Sequence, residues 1–489
     1  MGKKISTKQA VLFTVINYVG VLIGIVSTIL IYPRNKEMLG IIRYVEACTQ
    51  IMFPILVLGS THALINFYPS LNAKLQQKLF GFSLVSIFKL AILLFVLLLL
   101  SAPFSWSEPM DYIWMAFVLA IFMAYIELFR RQATNLQKLA VPTLYEKIIP
   151  KITLPLLFLL VMYQGLALNT ALWMYVFSFG CIMLLIGYYV YKNYAFKVHR
   201  HFHDLFAEVS KRQYYSYSLY AFAGSFGAFF AFRVDSLMIP SFISFEANGT
   251  YNIGVTLASA LSIPATGVFA LYAPVISDFI KKEQWQELNA KYKEVSKTLF
   301  FIAAILYSCI VVGIESLFKM MPTYDNLAPS IPVIILLGLN VVINMSTGFN
   351  TEIISYSKHY RFNLVSILSL MVLNVVLNLV LLTQTDLGIL GVAYASLFSL
   401  ALFNSAKTYF IYLKMQLLPF DWNFIKMILL FGLTLLGVYL LPFLHSNLVD
   451  LIAKVALILG VNTTVVYFTP WCPAVKYWIK RIMGNIFRF

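Results

Sequence analysis

The stretch 357–413 decides which fold classes are open to this chain. A basic turn, Ser357-Lys358-His359-Tyr360-Arg361, leads into the apolar run 364–382, whose strong polar groups are Asn374 and Asn378. A polar break follows, Thr383-Gln384-Thr385-Asp386-Leu387-Gly388, and then a second apolar run to about residue 413. At about 1.5 Å per residue, about 20 apolar residues in a helix cross the hydrocarbon core of a bilayer. The stretch therefore predicts a helical hairpin sized for a membrane. Asn374 and Asn378 are one turn apart, so they share a face and can hydrogen-bond a neighbouring helix. Gly388, Gly391, Ala393 and Ala395 open the second helix with small residues, which let another helix come close.

The rest of the 489-residue chain repeats this pattern, and only 11% of it is charged, against about 25% in ordinary soluble domains. Fourteen spans are expected: 11–32, 44–67, 79–101, 111–130, 148–165, 169–191, 217–242, 250–274, 298–317, 331–354, 364–383, 388–412, 424–443 and 449–469. The fold class is all-α and polytopic, and the first span reads as retained rather than as a cleaved signal. The formal charge of +16 points away from nucleic acid once its distribution is followed. With the N-terminus placed inside, 28 lysines and arginines fall in cytoplasmic segments or at the cytoplasmic ends of spans, four outside and four deeper within spans. The positive-inside rule thus predicts that both termini are cytoplasmic.

The four cysteines, Cys48, Cys181, Cys309 and Cys472, are scattered without a metal or disulfide spacing and read as packing residues. The alternating His199, His201 and His203 do not converge on a helix, so no metal site is expected. There is no nucleotide-binding loop, no zinc-protease helix and no CxxC pair. Outer loops are short, and the segment 281–288 reads as an amphipathic surface helix. Gly40, Tyr44, Pro54 and Pro69 along the second span have counterparts of similar order in Gly249, Tyr251, Pro264 and Pro274 along the eighth. This suggests a duplication of six spans, with the last two added. The expected lobes are 1–200 and 201–415, with 416–489 as the addition.

Three places carry a family resemblance. One is Ser357-Lys358 with Tyr360-Arg361, then Asn374 and Asn378, then Asp386, Gly388-Ile389 and Gly391-Val392-Ala393 with Ala395-Ser396. The second is 233–239, Arg-Val-Asp-Ser-Leu-Met-Ile, followed by Ala247-Asn248-Gly249-Thr250-Tyr251. The third is Leu58-Gly59-Ser60-Thr61-His62-Ala63-Leu64-Ile65-Asn66-Phe67-Tyr68-Pro69, with Asn66 where many relatives carry a basic residue. Together they resemble the Wzx-type O-antigen flippases of the multidrug/oligosaccharidyl-lipid/polysaccharide exporter superfamily. The resemblance implies two pseudo-symmetric six-helix lobes around a central cavity that opens to either side in turn. It also implies a cargo of undecaprenyl-pyrophosphate-linked oligosaccharide carried from the cytoplasmic to the periplasmic leaflet. A glycan polymerase and a chain-length regulator are candidate partners. The protein is not expected to be an enzyme or to hold a cofactor, and coupling to protons, sodium or membrane potential is open.

Charges within spans are expensive and tend to face protein or a wet cavity. Arg233 and Asp235 lie about 200° apart around one helix, so each needs a partner of its own. One is expected to face the cavity and the other a neighbouring helix; the alternative is an ion pair between spans. Lys89 and Lys407 are candidate head-group contacts, or cations that snorkel to an interface. Asn340, Asn344, Thr347 and Thr351 make a stripe at i, i+4, i+7 and i+11 that ends beside Glu352. It is expected to line a sugar-binding cavity or to hydrogen-bond another helix. Arg43, Glu46 and Gln50 share a face near the outer end of the second span, as an outer gate, a proton-linked acid or an interfacial anchor. His62 could couple protons or simply bond a backbone carbonyl. The substrate set is therefore Arg233, Asp235, Lys89, Asn340, Asn344, Thr347 and Lys407, and the gating or coupling set Arg43, Glu46, His62 and Glu352. The rival functions are a cation-coupled drug antiporter of the same superfamily and a membrane glycan polymerase or ligase. The short outer loops argue against the second.

Overall fold

A computed structural model describes residues 7–101, 108–196 and 201–486, and among these every regular element is helical. The chain divides into two compact units, the first ending at Asn252 and the second beginning at Ile253.

The first unit holds α1 (Thr7–Leu30), α2 (Lys36–Val57), α3 (Ser60–Phe67), α4 (Ala73–Ser101), α5 (Ile113–Asn135), α6 (Ala140–Gln164), α7 (Leu168–Asn193), α8 (His203–Glu208), α9 (Lys211–Phe242) and the first half of α10 (Phe245–Ala260). α2 is its centre, packed by α4, α5 and α9. α9, counted with the second lobe from sequence, thus makes its contacts with α2 and α3 in the first unit. The second unit holds the rest of α10 with α11 (Ile263–Lys281), α12 (Trp285–Lys319), α13 (Tyr324–Leu327), α14 (Ile331–Ser346), α15 (Asn350–Tyr356), α16 (Arg361–Gln384), α17 (Ile389–Met415), α18 (Trp422–Tyr439), α19 (Asn447–Phe468) and α20 (Pro473–Ile486). Its centre is α12, which is packed by α11, α14, α18 and α19.

Twelve helices among the described residues are long and apolar enough to cross a membrane. α1 and α6, of 24 and 25 residues, stand where the first and fifth spans were expected. Several helices start at residues able to satisfy their free N–H groups. Asn35 accepts from the Met38 N–H at 3.0 Å, Ser210 from Gln213 at 3.2 Å and Asp421 from Phe424 at 2.8 Å. α16 and α17 form the hairpin read from the sequence, with Gly391 closely approached by Leu381 Cβ. Gly388 makes no such approach; its φ of +54° instead turns the chain into α17.

Three expected spans are each broken into two helices. The second breaks at Leu58 and Gly59, both at positive φ, four residues after Pro54. The eighth breaks at 261–262, just before Pro264, which cannot donate to the preceding turn. The tenth breaks at 347–349, where Gly348 takes a φ of +59°. A side chain there would meet Ser296 Oγ at 2.4 Å, so glycine is needed both for its backbone freedom and for its size. The segment 281–288 is not a separate surface helix: it is a turn followed by the first residues of α12, which runs unbroken to Lys319.

The glycines that suggested duplication mark a close crossing. An added Cβ at Gly40 would lie 1.8 Å from the Phe245 carbonyl oxygen, and one at Gly249 1.9 Å from that of Lys36. The contact is therefore reciprocal between the starts of α2 and α10. Around it Asn248 Nδ2 donates to the Gly40 carbonyl at 2.7 Å, Lys36 pairs with Glu246 at 2.8 Å, and Tyr44 meets Phe245 edge-on.

Candidate functional site

In the first unit the polar groups collect on one face of α2. Arg43, Glu46 and Gln50 follow one another at i, i+3 and i+7, inside a helix that begins at Lys36 and not at 44 as expected. The Glu46 carboxylate accepts from Arg43 Nη1 at 2.7 Å and from the Tyr175 hydroxyl of α7 at 2.5 Å. The side chains of Arg43 and Glu46 keep 22% and 18% exposure. One turn further, Gln50 Oε1 accepts from Arg233 Nε of α9 at 2.8 Å. Asp235 turns the other way and accepts from the Tyr251 hydroxyl at 2.6 Å. The opposed directions follow from the two-residue offset. The partners are neutral side chains, however, and among the described residues Arg233 makes no ion pair.

His62 lies on the short helix α3, past the break, with Nε2 3.3 Å from Ser225 Oγ of α9. A serine hydroxyl thus stands where a backbone carbonyl was the simpler expectation. Lys89 is exposed on α4, with no ion pair among the described residues, and is not gathered with the α2 cluster's hydrogen bonds.

In the second unit the polar residues form a chain along α14, α15 and α17, buried at Thr347, Asn350, Asn404 and Lys407 and exposed at Thr351. Thr347 Oγ1 donates to Asn404 Oδ1 at 3.4 Å, and Asn350 Nδ2 reaches both Thr347 Oγ1 (3.2 Å) and Asn404 Oδ1 (3.3 Å). Thr351 Oγ1 donates to Asn350 Oδ1 at 3.2 Å and accepts from Lys407 Nζ at 2.6 Å. The Lys407 ammonium also lies 4.6 Å from the centre of the Phe403 ring. Lys407 is 2% exposed and does not snorkel, because its ammonium is tied to Thr351 on α15 while α17 runs two turns beyond it to Met415. Among the described residues no carboxylate lies within ion-pair distance of it. A buried ammonium held by a hydroxyl and an aromatic face is an unusual local choice, since buried charges are ordinarily paired.

The expected continuous stripe on the tenth span is not continuous. The break at 347–349 resets the helical phase, so Asn340 is buried against α17, Asn344 is exposed, and Thr347 caps α14. Glu352 follows in α15, half-buried. Gln50, Tyr175, Asn350 and Asn404 are among the members of these networks that the candidate sets do not contain. Gln50 was visible by its spacing from Glu46. The other three become relevant only through helix packing. Among the described residues no group of three His, Cys, Asp or Glu side chains could hold a metal ion, and His199 lies outside the described residues.

No family model matches the chain, and no curated protein matches it. Solved structures do. The lipid II flippase MurJ in an inward closed conformation superposes with a TM-score of 0.68 at 12% identity, covering 94% of this chain and 99% of that one. An inward-facing multidrug resistance MATE family transporter of the MOP superfamily gives 0.61 at 14% identity, over 83% of this chain and 98% of that one. A MATE structure in a bent conformation gives 0.52 at 13%. At these identities the likeness is one of fold: this chain has the fold of MOP-superfamily transporters.

Proposed function

We propose that this protein is a flippase that carries an undecaprenyl-pyrophosphate-linked oligosaccharide across the bacterial inner membrane by alternating access, with both termini cytoplasmic. One observation carries the reading: two cations inside membrane helices, Arg233 and Lys407, are held by neutral partners, Gln50 and Thr351. Glu46 lies near Arg233 and Glu352 near Lys407, but neither is in ion-pair contact, so each cation keeps a place for an anionic cargo whose phosphates can pair with it. The fold likeness to the lipid II flippase MurJ extends over 94% of the chain. Outward movement of an anion also runs with an inside-negative potential, worth about 2.3 kcal/mol per charge per 100 mV. Lys89, on the exposed face of α4, is the third cation in this proposal.

A drug antiporter is the second reading, favoured by the MATE likeness and by Asp235, an intramembrane carboxylate bonded to the Tyr251 hydroxyl. A deletion strain separates the two. The flippase reading expects lost surface glycan, with completed lipid-linked units held on the cytoplasmic side. Complementation with Arg233→Gln or Lys407→Gln is expected to fall about tenfold or more at normal protein levels. Normal glycan and lipid pools with altered drug sensitivity would replace the flippase by the antiporter.

A further inference from the structure

The second unit contains a cavity of about 610 Å³ that neither buried network touches. Its walls come from the start of α12 (Ala290, Lys293, Glu294, Lys297), from Asp421 at the cap of α18, and from Ala474, Tyr477 and Trp478 of α20. The charges in it are already partly matched. Lys297 pairs with Asp421 at 2.7 Å, and Glu294 pairs with Lys291 at 2.9 Å. That leaves Lys293, half-buried in the wall, as a cation with no ion pair among the described residues. α20 turns Val475 inward with 2% exposure and Ile479 onto the same core, while Tyr477 and Trp478 remain exposed at the cavity's edge. From Thr469 to its last residue the sequence carries Lys476, Lys480, Arg481 and Arg488 and no acidic residue. A basic amphipathic helix with exposed Tyr and Trp is the chemistry of an element that lies in an anionic lipid surface.

We propose that this cavity binds the phosphate of an anionic glycerophospholipid, with Lys293 as the anion contact and Tyr477 and Trp478 seating the glycerol region at the interface. The two acids facing the cavity pair with Lys291 and Lys297, and although Asp421 also feels Lys293, the group of three lysines and two acids keeps one positive charge in excess for the anion. The lipid would act as a clasp, fastening α20 to the starts of α12 and α18. None of the residues assigned to transport lines this cavity.

Native mass spectrometry of the full-length protein in detergent tests it, with dioleoylphosphatidylglycerol and dioleoylphosphatidylcholine as probes and inorganic phosphate as competitor. Wild type is expected to retain the glycerol lipid in preference to the choline lipid. Lys293→Gln should lower that retention about fivefold, the worth of one basic side chain at an anionic surface. Lys293→Arg should keep it, and Trp478→Ala, on an exposed face, should lower it without disturbing either ion pair. Lys282→Gln, outside the cavity, should change nothing. Equal retention in Lys293→Gln and wild type, or an equal loss in Lys282→Gln, overturns the site. Full displacement by excess inorganic phosphate overturns the lipid as its ligand.

Discussion

At the scale of single residues, Glu46 holds two elements together. It neutralises Arg43 within α2 and receives the hydroxyl of Tyr175 from α7. Removing one member of a buried pair leaves the other charged and dry. Glu46→Gln is therefore expected to cost about 3 kcal/mol, while Arg43→Met with Glu46→Leu recovers most of that loss. Thermal unfolding of the three proteins in one detergent measures it; a double variant no better than the single one would mean that the pair is not the source of the loss. The α2 face was legible in the sequence because Arg43, Glu46 and Gln50 obey helical spacing. Tyr175 was not, since nothing local distinguishes its hydroxyl from those of the other 29 tyrosines. Lys407 misled for a related reason. Distance from the end of a span predicts snorkelling only if the stem is free to move, and here α15 and α17 enclose it.

At the scale of elements, the spans were legible and their interruptions were not. Pro54, Pro264 and Gly348 stand at or near the three breaks, yet Pro150 and Pro155 sit within an unbroken α6. The difference lies in whether tertiary partners take the freed backbone groups, which a single sequence does not display. The reciprocal glycines were visible as a weak repeat, and the structure gives them a steric meaning. Gly40→Ala places a methyl 1.8 Å from the Phe245 carbonyl oxygen, so the backbones must part. The expected loss is about 2–3 kcal/mol, as for overpacking elsewhere. Gly432→Ala, in a helix with nothing within 4 Å of the new methyl, is expected to be neutral or to gain up to about 1 kcal/mol. Unfolding midpoints of the two variants should therefore move apart; a shared small shift would remove the crossing as a stabilising contact.

At the scale of the whole molecule, hydropathy was enough for an all-helical membrane protein, and the suspected duplication of six spans set 416–489 apart as an addition. The structure makes that addition integral to the second unit. α18 and α19 pack on α12, Phe300 meets Phe424 at a tilt and Phe431 edge-on, and Asp450 accepts from Ser316 at 2.7 Å. Truncation after Met415 is accordingly expected to abolish the monodisperse peak in size-exclusion chromatography, and a normal peak from the truncated chain would show the two helices to be dispensable. The apolar pattern of α18 and α19 announced two spans but not their docking face, because lipid and protein neighbours ask for the same side chains. The placing of the polar networks along the chain also bears on biosynthesis. Ribosomes deliver helices to the membrane in order, and a lone charge in lipid is at its most costly before its partners arrive. Thr351 emerges well before Lys407, and Gln50 before Arg233, so each of these cations enters a bilayer that already holds its acceptor. Arg43 and Glu46 come early, long before Tyr175, and on the nascent chain they have each other.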